Sequence, residues 1–289
     1  FLSDILNILS EYQQLNMNEL SEKLNLTNGA VTMHIRKLEE CGLITTNNLT
    51  GKHGLQKICS LHENKIVVDM ESDTPENSYD IDMCIGHYSS YEITPTCGIA
   101  TKDKLIGEVD NPNYFADPER MYADILWFTK GFIEYRIPNY LKPNQIFSEL
   151  QISMEISSEA PGICNIWPSD IHFSINNISL GYWISPGDFG SRPGRFTPHW
   201  WPKICNQYGR LKTLSINKNG TFIDGGFKIS DIKIHELNID YTTPITFKFS
   251  VPSTTKNAGG FTIFGKDFGD YNQSIKMQMF YETELADEK

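Results

Sequence analysis

The hydrophobic period changes once along this chain, and that change most limits what it can fold into. Leu2, Ile5, Leu6 and Leu9 recur at helical spacing, which places them on one face of a helix. Farther along, Ile125-x-Trp127-x-Thr129, Leu150-x-Ile152-x-Met154-x-Ile156, Ile171-x-Phe173-x-Ile175, Leu211-x-Thr213-Leu214, Ile232-x-Ile234 and Ile245-x-Phe247-x-Phe249 alternate instead, as half-buried strands do. Turn signals at Asn176-Asn177, Asn219-Gly220, Gly225-Gly226 and Asp267-Phe268-Gly269 separate these runs. Two periods in separate blocks predict two domains of unlike class. The 289 residues suffice for both.

In the first block, Asn16 and Glu19 have the spacing of a capping box ahead of Met17, Leu20 and Leu24. Thr27 suits the N-cap of a third helix with Val31, Ile35 and Leu38 inside and Gly42 as its stop. Leu43 to Thr46, a polar turn from Asn47 to Gly54 and Leu55 to Leu61 then read as a β-hairpin. Helix, helix, helix, hairpin is the order of a winged helix-turn-helix.

Two segments carry a more specific likeness. Glu19-Leu20-Ser21-Glu22-Lys23-Leu24-Asn25-Leu26-Thr27, followed by Val31-Thr32-x-His34-Ile35-Arg36-Lys37-Leu38-Glu39-Glu40-x-Gly42-Leu43-Ile44, resembles the ArsR-type bacterial repressors over roughly the first quarter of the chain. The resemblance implies a dimeric DNA-binding module whose third helix enters the major groove while the hairpin tip touches the backbone. Asn28, Thr32, Met33, Arg36 and Lys37 are the expected contacts on that helix, with Lys52 and His53 at the wing. A protein-interaction or dimerisation role competes, because residues 1–70 hold six Lys or Arg against eight Asp or Glu. The Cys-x-Cys pair common to metal sensors of that family is absent, and Cys41 is expected to be a small buried hydrophobe. His34 stands where that family often has a His, and helix packing is its expected role.

A formal charge of -11 excludes a broad basic surface, so any DNA contact must be local. The chain has no apolar run near the ~20 residues of a membrane span, and it is expected to be soluble and cytoplasmic. It opens on Phe1, so its natural start is expected to lie upstream. Six dispersed cysteines predict reduced thiols. Residues 71–80, acidic and polar with Pro75, read as a linker between a winged-helix domain (1–70) and an effector-binding domain (81–289). The predicted fold class is thus α+β multidomain: a winged helix-turn-helix, then a mainly antiparallel, jelly-roll-like β-sandwich.

All five tryptophans lie in the β block. The stretch Gly187 to Pro202 adds Asp188, Arg192, Arg195, His199, Trp200 and Trp201 to the nearby Trp167, Asp170 and Trp183. Indole faces beside acidic and basic groups suit a sugar ring, and jelly-roll sandwiches with such loops are loosely similar to carbohydrate-binding modules. A small-molecule effector, with carbohydrate as the favoured class, is one expectation, and a tryptophan-braced corner is its rival. Adjacent strand residues point to opposite faces, so Trp200 and Trp201 are expected to part company. No cofactor and no catalytic set is expected. The alternative is a sugar-active enzyme using Asp170 and Asp188 as its carboxyl pair, with an interaction domain as a third reading. Cys84, His87 and Cys97 have the ligand types of a zinc site but only one tight pair, so buried cysteines are preferred. Gly260 to Lys266 has a phosphate-loop outline without the Ser or Thr that must follow.

Overall fold

A computed structural model describes residues 2–12, 14–51, 54–61 and 77–283, and the chain divides into two units, Phe1–Asp73 and Thr74–Lys289. In the first, helices α1 (Leu2–Tyr12), α2 (Met17–Leu24) and α3 (Asn28–Glu40) accompany a short strand β1 (Gln14–Asn16) and the hairpin β2 (Ile44–Gly51) and β3 (Gly54–Leu61). The capping box forms as predicted: the Asn16 side chain accepts from the amides of Asn18 and Glu19, and Glu19 accepts from the Asn16 amide at 2.7 Å. Gly42 ends α3 at φ +70°, where a left-handed turn lets the Leu43 amide reach the Leu38 carbonyl at 2.9 Å. Ile5, Leu9, Leu20, Val31, Ile35 and Leu38 close around Leu15, Ile44 and Cys59 as one core. Two apolar expectations fail here. Leu2 is exposed at the start of α1, and Cys41, the C-cap residue of α3, is exposed too.

The second unit is built on antiparallel strands. These are β4 (Ser78–Met83), β5 (Ser90–Ala100), β6 (Ile125–Ile137), β7 (Gln145–Ser157), β8 (Ser169–Ile175), β9 (Ile178–Ser185), β10 (Arg210–Asn217), β11 (Gly220–Ile223), β12 (Phe227–Ser230), β13 (Ile245–Val251), β14 (Phe261–Phe264) and β15 (Ile275–Thr283). β4 takes residues 78–80 out of the predicted linker, because Tyr79 and Ile81 pair in register with Met279 and Met277 of β15. Ile232-x-Ile234 is not a strand: Ile234 begins a 3-10 turn, and Ile234 and Leu237 are buried in the core.

The winged helix is followed by a mainly antiparallel β domain, as predicted. Here β14 pairs with the start of β6 and the end of β7 at once, so twelve strands form one sheet in the order β12-β11-β10-β7-β14-β6-β13-β8-β9 with β4, β5 and β15 attached. The sheet curls until its ends nearly meet, giving an almost barrel-shaped domain. Gly181 of β9, at φ +96°, lies so close to β12 that an added Cβ would stand 2.6 Å from the Ile229 carbonyl oxygen. Inside, Leu126, Phe128, Ile133, Tyr135, Ile152, Ile156, Phe247 and Phe249 belong to one large core. Outside, Ile125, Trp127 and Phe264 pack with Trp201 and Phe268 in a second cluster. Strand residues 125–128 and 261–264 are therefore buried on both faces, and the loop containing Gly187 to Pro202 supplies part of the outer cover.

Candidate nucleic-acid interface and the loop over the barrel

With Val31, Ile35 and Leu38 buried, α3 turns Asn28, Gly29, Thr32, Met33, Arg36 and Lys37 to solvent. The predicted helix contacts thus share one accessible face. Asn28 Nδ2 donates to Asn18 Oδ1 at 2.8 Å, tying the start of α3 to α2, and Thr32 Oγ1 donates to the Asn28 carbonyl at 2.7 Å. Arg36 Nε pairs with Glu40 Oε1 at 2.8 Å in an exposed i,i+4 ion pair. Lys52 and His53 lie outside the described residues. Sequence reasoning passed over Glu39, which accepts from Thr46 Oγ1 on β2 and from Lys57 Nζ on β3 at 3.1 Å. These bonds, that from Thr46 foremost, hold its carboxyl below the usual range and tie α3 to both strands of the hairpin.

Arg192 of the loop turns back on the protein itself. Arg192 forms a two-pronged pair with Asp270 at 2.9 and 2.6 Å and covers the Tyr208 ring at 4.2 Å. Tyr208 stacks on Phe189, which Arg210 covers from 4.7 Å. Two cations and two rings thus form a continuous brace. Asp270 in turn is anchored through Glu155, fully buried on β7, whose oxygens accept from the amides of Gly209, Asp270 and Tyr271 at 2.7 to 3.0 Å. Burial lifts the Glu155 carboxyl to about 7 against the pull of those three amides. The alternation of β7 puts Glu155 on the outward face, and only the covering loops bury it.

Trp201 is buried, donates Nε1 to the Asn206 carbonyl at 2.8 Å, and meets Trp127 and Phe268 edge to face. Trp200 stays 42 % exposed and donates Nε1 to the Lys102 carbonyl at 2.5 Å. The two indoles separate as expected, although a turn closed by Trp201 N to Pro198 O, and not strand alternation, parts them. Trp167 is exposed, and Trp183 packs on the core under Lys212 Nζ at 4.8 Å. Arg195 and His199 have exposed side chains. The Arg195 amide donates to Asp270 Oδ1 at 3.1 Å. The nine residues expected to bind a ligand therefore divide among distinct local tasks.

The proposed carboxyl pair divides too. Both oxygens of Asp170 are occupied by Thr255 and Asn257 at 2.8 to 3.0 Å. Burial raises its pKa, but these bonds outweigh burial and leave it below the usual range. Asp188 is the opposite case: Oδ2 accepts the Ala160 amide at 3.2 Å, Oδ1 is buried without a hydrogen-bond partner, and burial lifts the acid to about 7. Its electrostatic neighbour is Glu159, pushed well above the normal range by burial and then by Asp188. Asn206 and Thr262 both donate to Glu159 Oε2 at 3.0 Å. Glu159 lies just beyond the end of β7 and Asp188 in the loop, so sequence spacing gave no hint of their pairing. Cys97 is buried, while Cys84 and His87 are exposed, and among the described residues no three His, Cys, Asp or Glu side chains converge as a metal site would require. Residues 261–264 form the strand β14, where a phosphate loop needs an open turn, and no helix follows Lys266 among the described residues.

Comparison with known proteins bears on the first unit. Residues 2–45 match the family described as winged helix-turn-helix DNA-binding. A stretch of 57 residues is 39% identical to an uncharacterized protein of Methanocaldococcus jannaschii, covering 20% of this chain and 62% of that protein. No helix among the described residues is long and apolar enough to cross a membrane. Chain order, capping, the exposed third helix and this match together make the N-terminal unit a winged helix-turn-helix DNA-binding domain.

Proposed function

We propose that the chain is a transcription regulator, a repressor acting as a homodimer, whose β domain senses a small molecule without catalysing its conversion. The observation that carries the DNA-reading half is the shared solvent face of Asn28, Thr32, Met33, Arg36 and Lys37 on a helix whose opposite face is locked in the core. Amide, hydroxyl and guanidinium groups at that spacing suit base edges, and Lys37 suits a phosphate. Likeness to the ArsR-type repressors supports the dimer and the repressor sense. Carbohydrate is the favoured effector class, supported by the exposed indoles of Trp167 and Trp200. The absence of turnover is supported by Asp170, whose two oxygens are both engaged by Thr255 and Asn257.

Duplexes selected from a random pool by the full chain would supply an operator for titration. Arg36→Ala should then weaken binding by about 1–3 kcal/mol and relax preference at one position of each half-site. Unchanged affinity and unchanged salt slope would reject α3 as the reading helix.

A further inference from the structure

We infer that a neutral sugar binds in the cleft formed by the 101–104 loop, the 118–122 turn and the 265–267 loop, beside Trp200. The site deepens the effector reading above and rests on it only for its regulatory consequence. The cleft has a volume of 750 Å³, within the range of about 300–1,000 Å³ common to small-molecule sites. Sequence reading did not bring these residues together, because the walls of the cleft come from segments far apart in the chain.

Its floor is preorganised. Thr101, Asp124 and Asp267 line the cleft, and each adjoins in sequence a member of the outer aromatic cluster, Ala100, Ile125 and Phe268 respectively. Asp124 Oδ2 accepts the Lys102 amide at 3.0 Å, and the Lys102 carbonyl accepts Trp200 Nε1. The tryptophan-rich loop thus docks directly on a wall of the cleft. Tyr122 is 74 % exposed on another wall, a large apolar ring held in water with no core to fill.

The polar groups point to the ligand class. Five carboxylates and three lysines line the cleft, and the ion pairs Lys104–Glu119 at 2.8 Å and Lys102–Asp267 at 3.9 Å mix the signs at close range. Sugar hydroxyls donate to carboxylates and accept from ammonium groups, while their C–H faces pack on aromatic rings. The excess of carboxylate opposes an anionic ligand. Three ammonium groups dispersed among the acids deny an organic cation a uniformly negative face.

The full chain is titrated with glucose, galactose, mannose, xylose, maltose and cellobiose, and in parallel with glucose 6-phosphate and choline, following tryptophan emission and unfolding temperature. At least one neutral sugar should bind saturably, raising the unfolding temperature and shifting the emission. Tyr122→Ala, a substitution at an exposed position, and Asp124→Asn should each weaken that binding by about tenfold or more. The proposal is overturned if no neutral sugar binds, if only choline or the phosphate ester saturates, or if the Tyr122→Ala protein binds as tightly as the parent. DNA affinity of the same samples separates the two readings. A sugar that binds here without altering DNA affinity leaves the site standing and removes its regulatory role, whereas DNA binding with no sugar response removes the site alone.

Discussion

Two buried carboxyls of the β domain share a pKa near 7 and should answer isosteric substitution with opposite signs. Asp188 has one amide partner and one buried oxygen with none, so its charge is poorly compensated. Because its folded pKa lies above the unfolded value, the folded state holds the proton more tightly, and stability falls as pH rises from about 4 to about 7. Asp188→Asn removes the charge and should stabilise the protein by about 1–2 kcal/mol at pH 8 but not at pH 4. Denaturant unfolding at both pH values checks this, and a gain of equal size at the two would refute the account. Glu155 instead receives three backbone amides, which a glutamine, with one accepting oxygen and two N–H donors, cannot all satisfy. Glu155→Gln should destabilise by about 2 kcal/mol at pH 8 and loosen the Arg192–Asp270 brace, read as loss of protection from hydrogen exchange over residues 269–271. Unaltered stability would show that the amides find other acceptors. Residue type alone made Asp188 and Asp170 look like equivalents; what distinguishes them is the long-range company each keeps, which a single sequence does not display.

At the scale of elements, the winged helix was legible because its signals are local. The Asn16–Glu19 box, the Thr27 cap and the Gly42 stop each act within a turn or two of chain, and hydrophobic spacing chose the buried faces. Strand β1, three residues long, carries too little pattern to be read, and the Glu39 clamp depends on pairing across the hairpin. In the β domain, alternation found β6, β7, β8, β10 and β13 but not their single-sheet connectivity, because a strand's period says which face is buried and not which neighbour it joins. It also misassigned the outer face of residues 125–128, whose cover is a distant loop. On α3, Glu40 holds Arg36 in a pair whose side chains are 61% and 79% exposed respectively, and such pairs are worth about 0.5 kcal/mol or less. In the proposed complex Arg36 would leave Glu40 for DNA at little cost, and the carboxylate would then stand beside the phosphates. Glu40→Gln should tighten operator binding by about two- to fivefold while lowering helix stability by about 0.3 kcal/mol. Weaker binding in a band-shift titration would mean that the pair instead orients Arg36 for contact.

For the molecule as a whole, the proposed function raises the question of how a chain of formal charge -11 would bind a polyanion. Its long-range field opposes the encounter, but at 0.1 M salt charges farther apart than about 10 Å are largely screened. Affinity must then come from the few cations that touch phosphate, each releasing a counterion, so the salt slope counts them at about 0.9 per contact. Lys37, exposed on α3 next to the base-reading face, is the described residue best placed to be such a contact. If one protomer binds, Lys37→Ala should reduce the slope of log affinity against log salt by about 1; if two act together on a palindrome, by about 2. Band shifts of parent and variant across about 50 to 200 mM salt on one selected duplex measure that difference. A reduction near 2 with uniform weakening over sequence variants of the site makes Lys37 a phosphate contact in a dimer, and a reduction near 1 sinks the dimer while keeping the contact. An unchanged slope removes Lys37 from the interface and leaves the wing to supply the cations that an acidic protein needs.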